Sequence, residues 1–114
     1  MNATDPKPGY KADSGKVRLE LLPPEAIMWI GRALTYGAQK YAHLPPDNWR
    51  RVADGRPRYF GALLRHTFAA LAGKHLDDES GLPHLAHAGA CVVFLLCPLA
   101  GDDEEIAEIL TSRP

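Results

Sequence analysis

The sequence predicts an all-α protein, a small four-helix arrangement in a single domain over residues 1–114, preceded by an extended N-terminal arm. Three observations predict it. Apolar residues recur at helical spacing in separate stretches, no stretch alternates at the period of a strand, and proline or acidic residues stand where the helices would begin. With 114 residues, 46% of them hydrophobic, the chain can bury only a modest core, and a small enzyme built this way often completes its site by oligomerising.

Residues 1–15 carry Pro6, Pro8, Gly9 and Gly15 among polar residues, so they are expected to be extended or mobile unless a ligand orders them. Pro23, Pro24 and Glu25 then mark a helix start, because proline is tolerated in the first turn and acid is favoured there. The first helix is expected over 25–42, with Ile27, Ile30, Leu34, Ala38 and Tyr41 on its period and Trp29, Arg32, Tyr36 and Lys40 on another side. Residues 43–57, rich in Pro, Asp, Asn and Gly, form a loop long enough in so small a domain to suggest a functional one.

The second helix is expected over 58–74. Phe60, Leu63, Leu64, Thr67, Phe68 and Leu71 make an apolar stripe, and Ala62, Ala69 and Gly73 would let a further element approach the opposite side. That pattern predicts a central helix packed on both sides. The third helix is expected over 83–97, with Pro83 at its start and apolar residues nearly all round, the mark of a buried helix. A short fourth helix over 104–112 begins at an Asp-Asp-Glu-Glu run that suits the helix dipole, and Ile106, Ile109 and Leu110 can dock it.

The net charge of -1 hides an asymmetry: twelve of the thirteen Lys and Arg lie at or before Lys74, and eight of the fourteen acids lie after it. A basic front and an acidic back can hold an anionic ligand in one half and a metal in the other, or they can be ordinary solvated charge. The near-zero balance and the scatter of the basic residues argue against nucleic acid as partner. The longest apolar run, near 85–100, is interrupted by His87, Gly89 and Pro98 and is shorter than a bilayer requires, so no membrane partner is expected. The N-terminus has no apolar signal segment, and Cys91 and Cys97 would point apart on one helix as free thiols, so a reducing cytoplasmic setting is expected.

Chemical capability concentrates between His66 and His87, where four of the five histidines lie within twenty-two residues around Asp77, Asp78 and Glu79. His84 and His87, three apart, would share one helix face. They can ligate a divalent metal or bind phosphate, or they can be helix-start histidines hydrogen-bonded to nearby acids. Asp77 and Glu79 can complete a hard-cation site or merely cap the next helix. His66 can bind metal, position water or deprotonate it, and Arg65 can clamp a phosphate or pair with the acidic turn. Lys16 and Arg18, alternate residues of the arm, can reach a triphosphate or be plain surface charge; Tyr36 and Lys40, one turn apart, can contact sugar and phosphate. Trp49 can stack on a base while Asn48 bonds its edge, or Trp49 can anchor the loop on the core. The chain has neither a P-loop nor a G-x-G-x-x-G run, which excludes a strand–loop–helix nucleotide site of those types.

Five segments occur in order: K-A-D-S-G-K-V-R-L-E-L-L-P-P-E-A, L-T-Y-G-A-Q-K-Y, N-W, Y-F-G-A-L-L-R-H and D-D-E-S-G-L-P-H-L-A-H-A. With them the chain resembles the phage and bacterial dATP/dGTP diphosphohydrolases, MazZ-like proteins related to the all-α MazG nucleotide pyrophosphohydrolases. The resemblance covers about residues 10–97. It implies a MazG-like bundle that cleaves purine deoxynucleoside triphosphates, dATP or dGTP, between the α- and β-phosphates, assisted by Mg²⁺ or Mn²⁺, in a homo-oligomer. On that reading His66, His84 and His87 are catalytic, and Asp77, Glu79, His84 and His87 form the metal set. Lys16, Arg18, Tyr36, Lys40, Asn48, Trp49 and Arg65 bind the nucleotide. The MazG pair of glutamate motifs, E-x-x-E followed later by E-x-x-D, is not found here as a set, and His84-Leu-Ala-His87 stands nearest the second of them. The alternative expectation is a non-catalytic nucleotide-binding or regulatory helical module, and a third is a helical protein stabilised by its metal.

Overall fold

The computed structural model describes residues 5–112, so the part of the arm expectation that falls on residues 1–4 lies outside the described residues. The fold is all-α. Helix α1 spans Pro24–Lys40, α2 Gly55–Leu71, α3 His84–Leu95 and α4 Glu104–Thr111, with single 3₁₀ turns at Leu19–Leu21 and Asn48–Arg51.

Local chemistry sets these ends. Pro24 occupies the first position of α1 behind an extended Pro23, and Glu25 stands in its first turn. Helix α2 begins three residues earlier than its apolar stripe predicts. Asp54 takes a left-handed conformation (φ 52°) that turns the chain into Gly55, and Pro57 sits in the first turn, where its missing N–H costs nothing. The helix stops at Leu71 rather than 74 because Gly73 adopts φ 93°. There the Lys74 amide donates to the Ala69 carbonyl (3.0 Å) and the Gly73 amide to the Ala70 carbonyl (3.0 Å), a Schellman ending. Asp103 caps α4, its carboxylate accepting from the Ile106 amide at 2.9 Å.

Helix α3, not α2, is the central element: α2 packs on one side of it and α1 on the other. Small residues make this possible. Ala33, Ala86 and Ala90 form the buried centre, ringed by Leu34, Leu82 and Phe94. Gly89 lies so near α1 that a methyl group there would stand 2.7 Å from Ile30 Cγ1. The expectation of a central α2 fails because an amphipathic stripe states that a face favours burial, not what will bury it. Phe60, Leu64, Phe68 and Leu71 are all exposed, Phe68 by 60% and Leu71 by 82%.

One ion pair fastens three elements. Arg56, in the first turn of α2, forks onto Asp102 (2.7 and 2.9 Å) and donates to the Leu95 and Cys97 carbonyls at the end of α3. Asp102 also accepts the Leu99 amide at 2.8 Å. A guanidinium thus satisfies the open carbonyls of one helix end while neutralising a carboxylate that is 4% exposed. Cys91 is buried and Cys97 half-buried, both as free thiols. No described helix is long and apolar enough to cross a membrane.

Candidate active site: a histidine–aspartate cluster under an open cleft

The site is assembled by the chain between α2 and α3. After the Schellman ending, residues 74–83 fold back on themselves. The Asp77 amide donates to the Leu82 carbonyl (2.8 Å), Gly81 to Asp77 (2.8 Å), and the His84 amide to the His75 carbonyl (2.7 Å). Gly81 supplies the left-handed step (φ 73°) that the tight turn needs. The result places Asp77 opposite the first turn of α3 and the middle of α2.

There, His66, Asp77 and His84 bring one ligand atom each within 4.8 Å of one another. His66 Nδ1 and His84 Nδ1 lie 2.8 Å apart, so one imidazole donates to the other. His84 is the one buried polar residue among those described, and its Nε2 has no hydrogen-bond partner. An unpartnered buried nitrogen is costly in a purely structural role. Desolvation, then the neighbouring His87 and His84, holds His66 below the usual histidine range, and desolvation does the same to His87. Burial works against ionisation of Asp77, but its bonds from Ser80 and the nearby His87 and His66 outweigh it and keep the carboxyl below its ordinary value. Neutral imidazoles beside an ionised carboxylate are the protonation states a divalent cation requires. The set offers two nitrogens and one carboxylate oxygen, donors that a divalent cation can accept.

His87 stands beside this trio without joining it. Its ring stacks on His66 with centroids 4.9 Å apart, meets Tyr36 edge-on at 6.0 Å, and its Nε2 lies 2.7 Å from Ser80 Oγ. Ser80 also accepts the Leu82 amide, and its own amide donates to Asp77 Oδ2 at 2.8 Å. The Ser80 hydroxyl thus ties His87 to the turn that carries Asp77. Glu79 is also placed apart from the trio. It pairs with Lys40 at 2.7 Å; that bond, followed by one from Tyr36, lowers its pKa, and the same pairing, followed by the nearby Tyr41, raises that of Lys40.

Above the cluster opens a cleft of about 960 Å³, a size that accommodates a nucleotide. Its lining joins polar groups, His66, Asp77, Glu79, His87, Tyr36, Lys40 and Arg65, to the largely apolar Tyr41, Leu44, Pro45, Pro46 and Val52. Asn48 and Trp49 line it too. Phe94 stacks on Trp49 at 4.6 Å and the Arg50 guanidinium lies over the same ring at 4.3 Å, so the indole anchors its loop. Tyr59 tightens the same loop by donating to the Trp49 carbonyl at 2.8 Å. Lys16 and Arg18 stand outside the cleft lining, and Arg18 pairs with Glu20 instead. Tyr41, Arg58 and Tyr59 are cleft residues that sequence reasoning missed. The one available signal was helical spacing, since Arg58 and Tyr59 fall one to two turns before Arg65 and His66.

A curated dATP/dGTP diphosphohydrolase of Salmonella phage PMBT28 is 34% identical over 87 residues, which cover 76% of this chain and 28% of that protein. The chain therefore spans under a third of the length of the curated relative. No solved structure matches. The family model described as dATP/dGTP diphosphohydrolase, N-terminal, matches residues 6–107, nearly the whole chain, and the chain belongs to that family.

Proposed function

We propose that this chain carries the active centre of a metal-dependent pyrophosphohydrolase that cleaves dATP and dGTP to the monophosphate and pyrophosphate. The observation that carries the reading is the His66–Asp77–His84 cluster: His66 and Asp77 line a nucleotide-sized cleft, and the buried His84 Nε2, outside that lining, lacks a partner. His66, Asp77 and His84 would hold Mn²⁺ or Mg²⁺. Such a cation supplies Lewis acidity toward phosphate oxygens and lowers the pKa of bound water.

The chain's own groups do the rest. His87, kept neutral by burial and steadied by Ser80, is the imidazole free to take the proton of the attacking water. The water oxygen bonds to the α-phosphorus as the bond to the bridging oxygen breaks, and that oxygen leaves on pyrophosphate. Arg65, exposed at the cleft wall and free of ion pairs among the described residues, and Lys40, released from Glu79, stabilise the departing charge. The apolar lining at Leu44, Pro45 and Pro46 receives the base. The Asn48 side-chain amide, without a hydrogen bond among the described residues, is placed to read its edge.

The test is incubation with dATP, dGTP, dCTP and dTTP and either metal. Monophosphate and pyrophosphate should form first from the purines with Mn²⁺, and no turnover with any metal removes the enzyme. A second reading, nucleotide binding without turnover, is favoured by Glu79: its pairing with Lys40 leaves Asp77 as the one carboxylate of the donor set. Calorimetric binding of dGTP without product would select it.

A further inference from the structure

Lys40 and Glu79 meet in the cleft from separate elements. Lys40 is the last residue of α1, and Glu79 stands on the turn that carries Asp77. Their charged atoms lie 2.7 Å apart, and Tyr36, one helical turn before Lys40, bonds the same carboxylate. All three side chains line the cleft. The pair is nonetheless loosely held. The Lys40 side chain is 42% exposed and that of Glu79 59%, so water competes for both. Exposed pairs of this kind are weak and easily exchanged.

The backbone under Glu79, by contrast, is fixed. Two residues before it, the Asp77 amide donates to the Leu82 carbonyl, and the Asp77 carboxylate accepts the Ser80 amide, both at 2.8 Å. Just after it, Ser80 is bonded to His87, and the Gly81 amide returns to the Asp77 carbonyl. The Glu79 carboxylate therefore turns about a stationary pivot, and the same turn holds Asp77 against the histidines.

Both members of the pair have a competing use. The His66–Asp77–His84 trio offers three ligand atoms, where a cation such as Mn²⁺ accepts about six. Of the other acids on the turn, Asp78 is drawn into solvent by Lys74, whereas Glu79 lines the cleft. Lys40, for its part, is one of the few cations there. Arg58 donates to the Ala53 carbonyl, which leaves Arg65 and Lys40 to meet an anion. A polyphosphate brings more negative charge than one carboxylate and takes an ammonium in charge-assisted bonds.

We propose that Lys40 is a latch on Glu79: it withholds this carboxylate from the cation site until a polyphosphate takes the ammonium, and Glu79 then turns to the cation. Polyphosphate and metal thus bind with positive coupling, and the coupling is reciprocal. The cation side rests on the metal-dependent reading proposed above; the ion pair and its fixed pivot do not.

Calorimetry with Mn²⁺ alone, in the absence of nucleotide, reads the latch directly. Lys40→Met should bind Mn²⁺ about two- to fivefold tighter than wild type, the margin an exposed ion pair withholds. Glu79→Gln should stay near wild type, and Lys40→Met/Glu79→Gln should fall back to the same value, because the two residues act as a unit. Tightening of equal size with and without Glu79 would mean that Lys40 merely repels the cation, and it overturns the latch, as does no tightening at all. Pyrophosphate in the presence of chelator probes the other side. It should bind Glu79→Gln about two- to fivefold tighter than wild type. That gain should disappear in the Lys40→Met background at physiological salt, where more distant repulsion is screened. A gain that survives the loss of Lys40 overturns the exchange. Both side chains are exposed, so the helical circular dichroism of all variants should match wild type. Failure of every chain to bind Mn²⁺ removes the cation site and the latch together. The expected Mn²⁺ pattern without turnover of dATP or dGTP keeps the latch and removes the hydrolase.

Discussion

Two stretches of this chain look alike in composition and behave differently. Residues 5–22 and residues 72–83 are both acidic-basic mixtures with glycine and proline, and each contains positive-φ glycines, Gly9 and Gly15 in one, Gly73 and Gly81 in the other. The second is fastened from both sides: the Schellman ending holds its start, and the Leu76–Pro83 bridge and the His75–His84 bond close its neck. Asp77 and Ser80 then tie its tip to the histidines. The first makes local bonds only. Order in a loop therefore comes less from its residue types than from whether its polar groups meet a buried partner from another element. The histidine cluster is that partner here.

The severest test removes the anchor. His84→Ala should lower turnover by about a thousandfold, the scale expected when a metal ligand and its supporting bonds are lost together. It should also abolish the rise in melting temperature on adding Mn²⁺. His66→Ala and Asp77→Asn should do the same, whereas Glu79→Gln should retain most of the metal response. An undiminished Mn²⁺ shift in His84→Ala would show that the cluster is not the metal site. Next in size is Ser80→Ala, which removes the hydroxyl bonded to His87 and to the Leu82 amide. The expected loss is about 2 kcal/mol in chemical denaturation, for two partly buried bonds. A loss near zero would mean that the turn is held without Ser80.

These tests bear on residues that the sequence exposed to different degrees. Pro24, Pro83 and the acids before Ile106 marked helix starts because proline and carboxylate act locally, through backbone geometry and the helix dipole. The convergence of Asp77 with His84 was legible because seven residues and a glycine turn leave few other arrangements. Glu79 was not: its partner Lys40 is thirty-nine residues away, on α1, and no local rule couples them. His87 shares a helix face with His84, yet it turns to Ser80 and His66 while the trio forms without it. The position of α2 was misread for a related reason. Its stripe is apolar in fact, but the partner that would cover it is not among the described helices of this chain.

A matched pair of glycines compares the two stretches directly. Gly81 (φ 73°) and Gly15 (φ 79°) both have open space where a methyl group would go, so alanine at either would add backbone strain and no clash. Left-handed strain in a non-glycine residue costs about 1 kcal/mol. At Gly81 the whole amount should appear in the unfolding free energy, because the turn must keep its shape for Asp77 to meet the histidines. At Gly15 the exposed arm can relax, and the unfolding curve should not move. Equal losses at the two positions would mean that the arm is as firmly held as the turn.

The gentlest perturbation is acid. Desolvation holds His66 and His87 below 6.5, so between that value and their folded pKa the unfolded chain binds more protons than the folded one. Stability is then complete above about pH 6.5, the ordinary histidine pKa, and falls as pH drops below it. Asp77, held below its ordinary carboxyl range, adds a separate loss at lower pH, below about 4. Chemical denaturation of the chain at pH 8, 7, 6 and 5 should show a plateau followed by a decline, and His66→Gln/His87→Gln should flatten the decline while leaving the loss at lower pH in place. If the cluster holds a cation as proposed, Mn²⁺ should shift the onset downward, since it would bind the neutral imidazole of His66 and have to be displaced before that ring can be protonated. A decline that the double variant leaves untouched would locate the acid sensitivity outside the cleft, for instance at the Arg56–Asp102 pair that joins α2 to the end of α3.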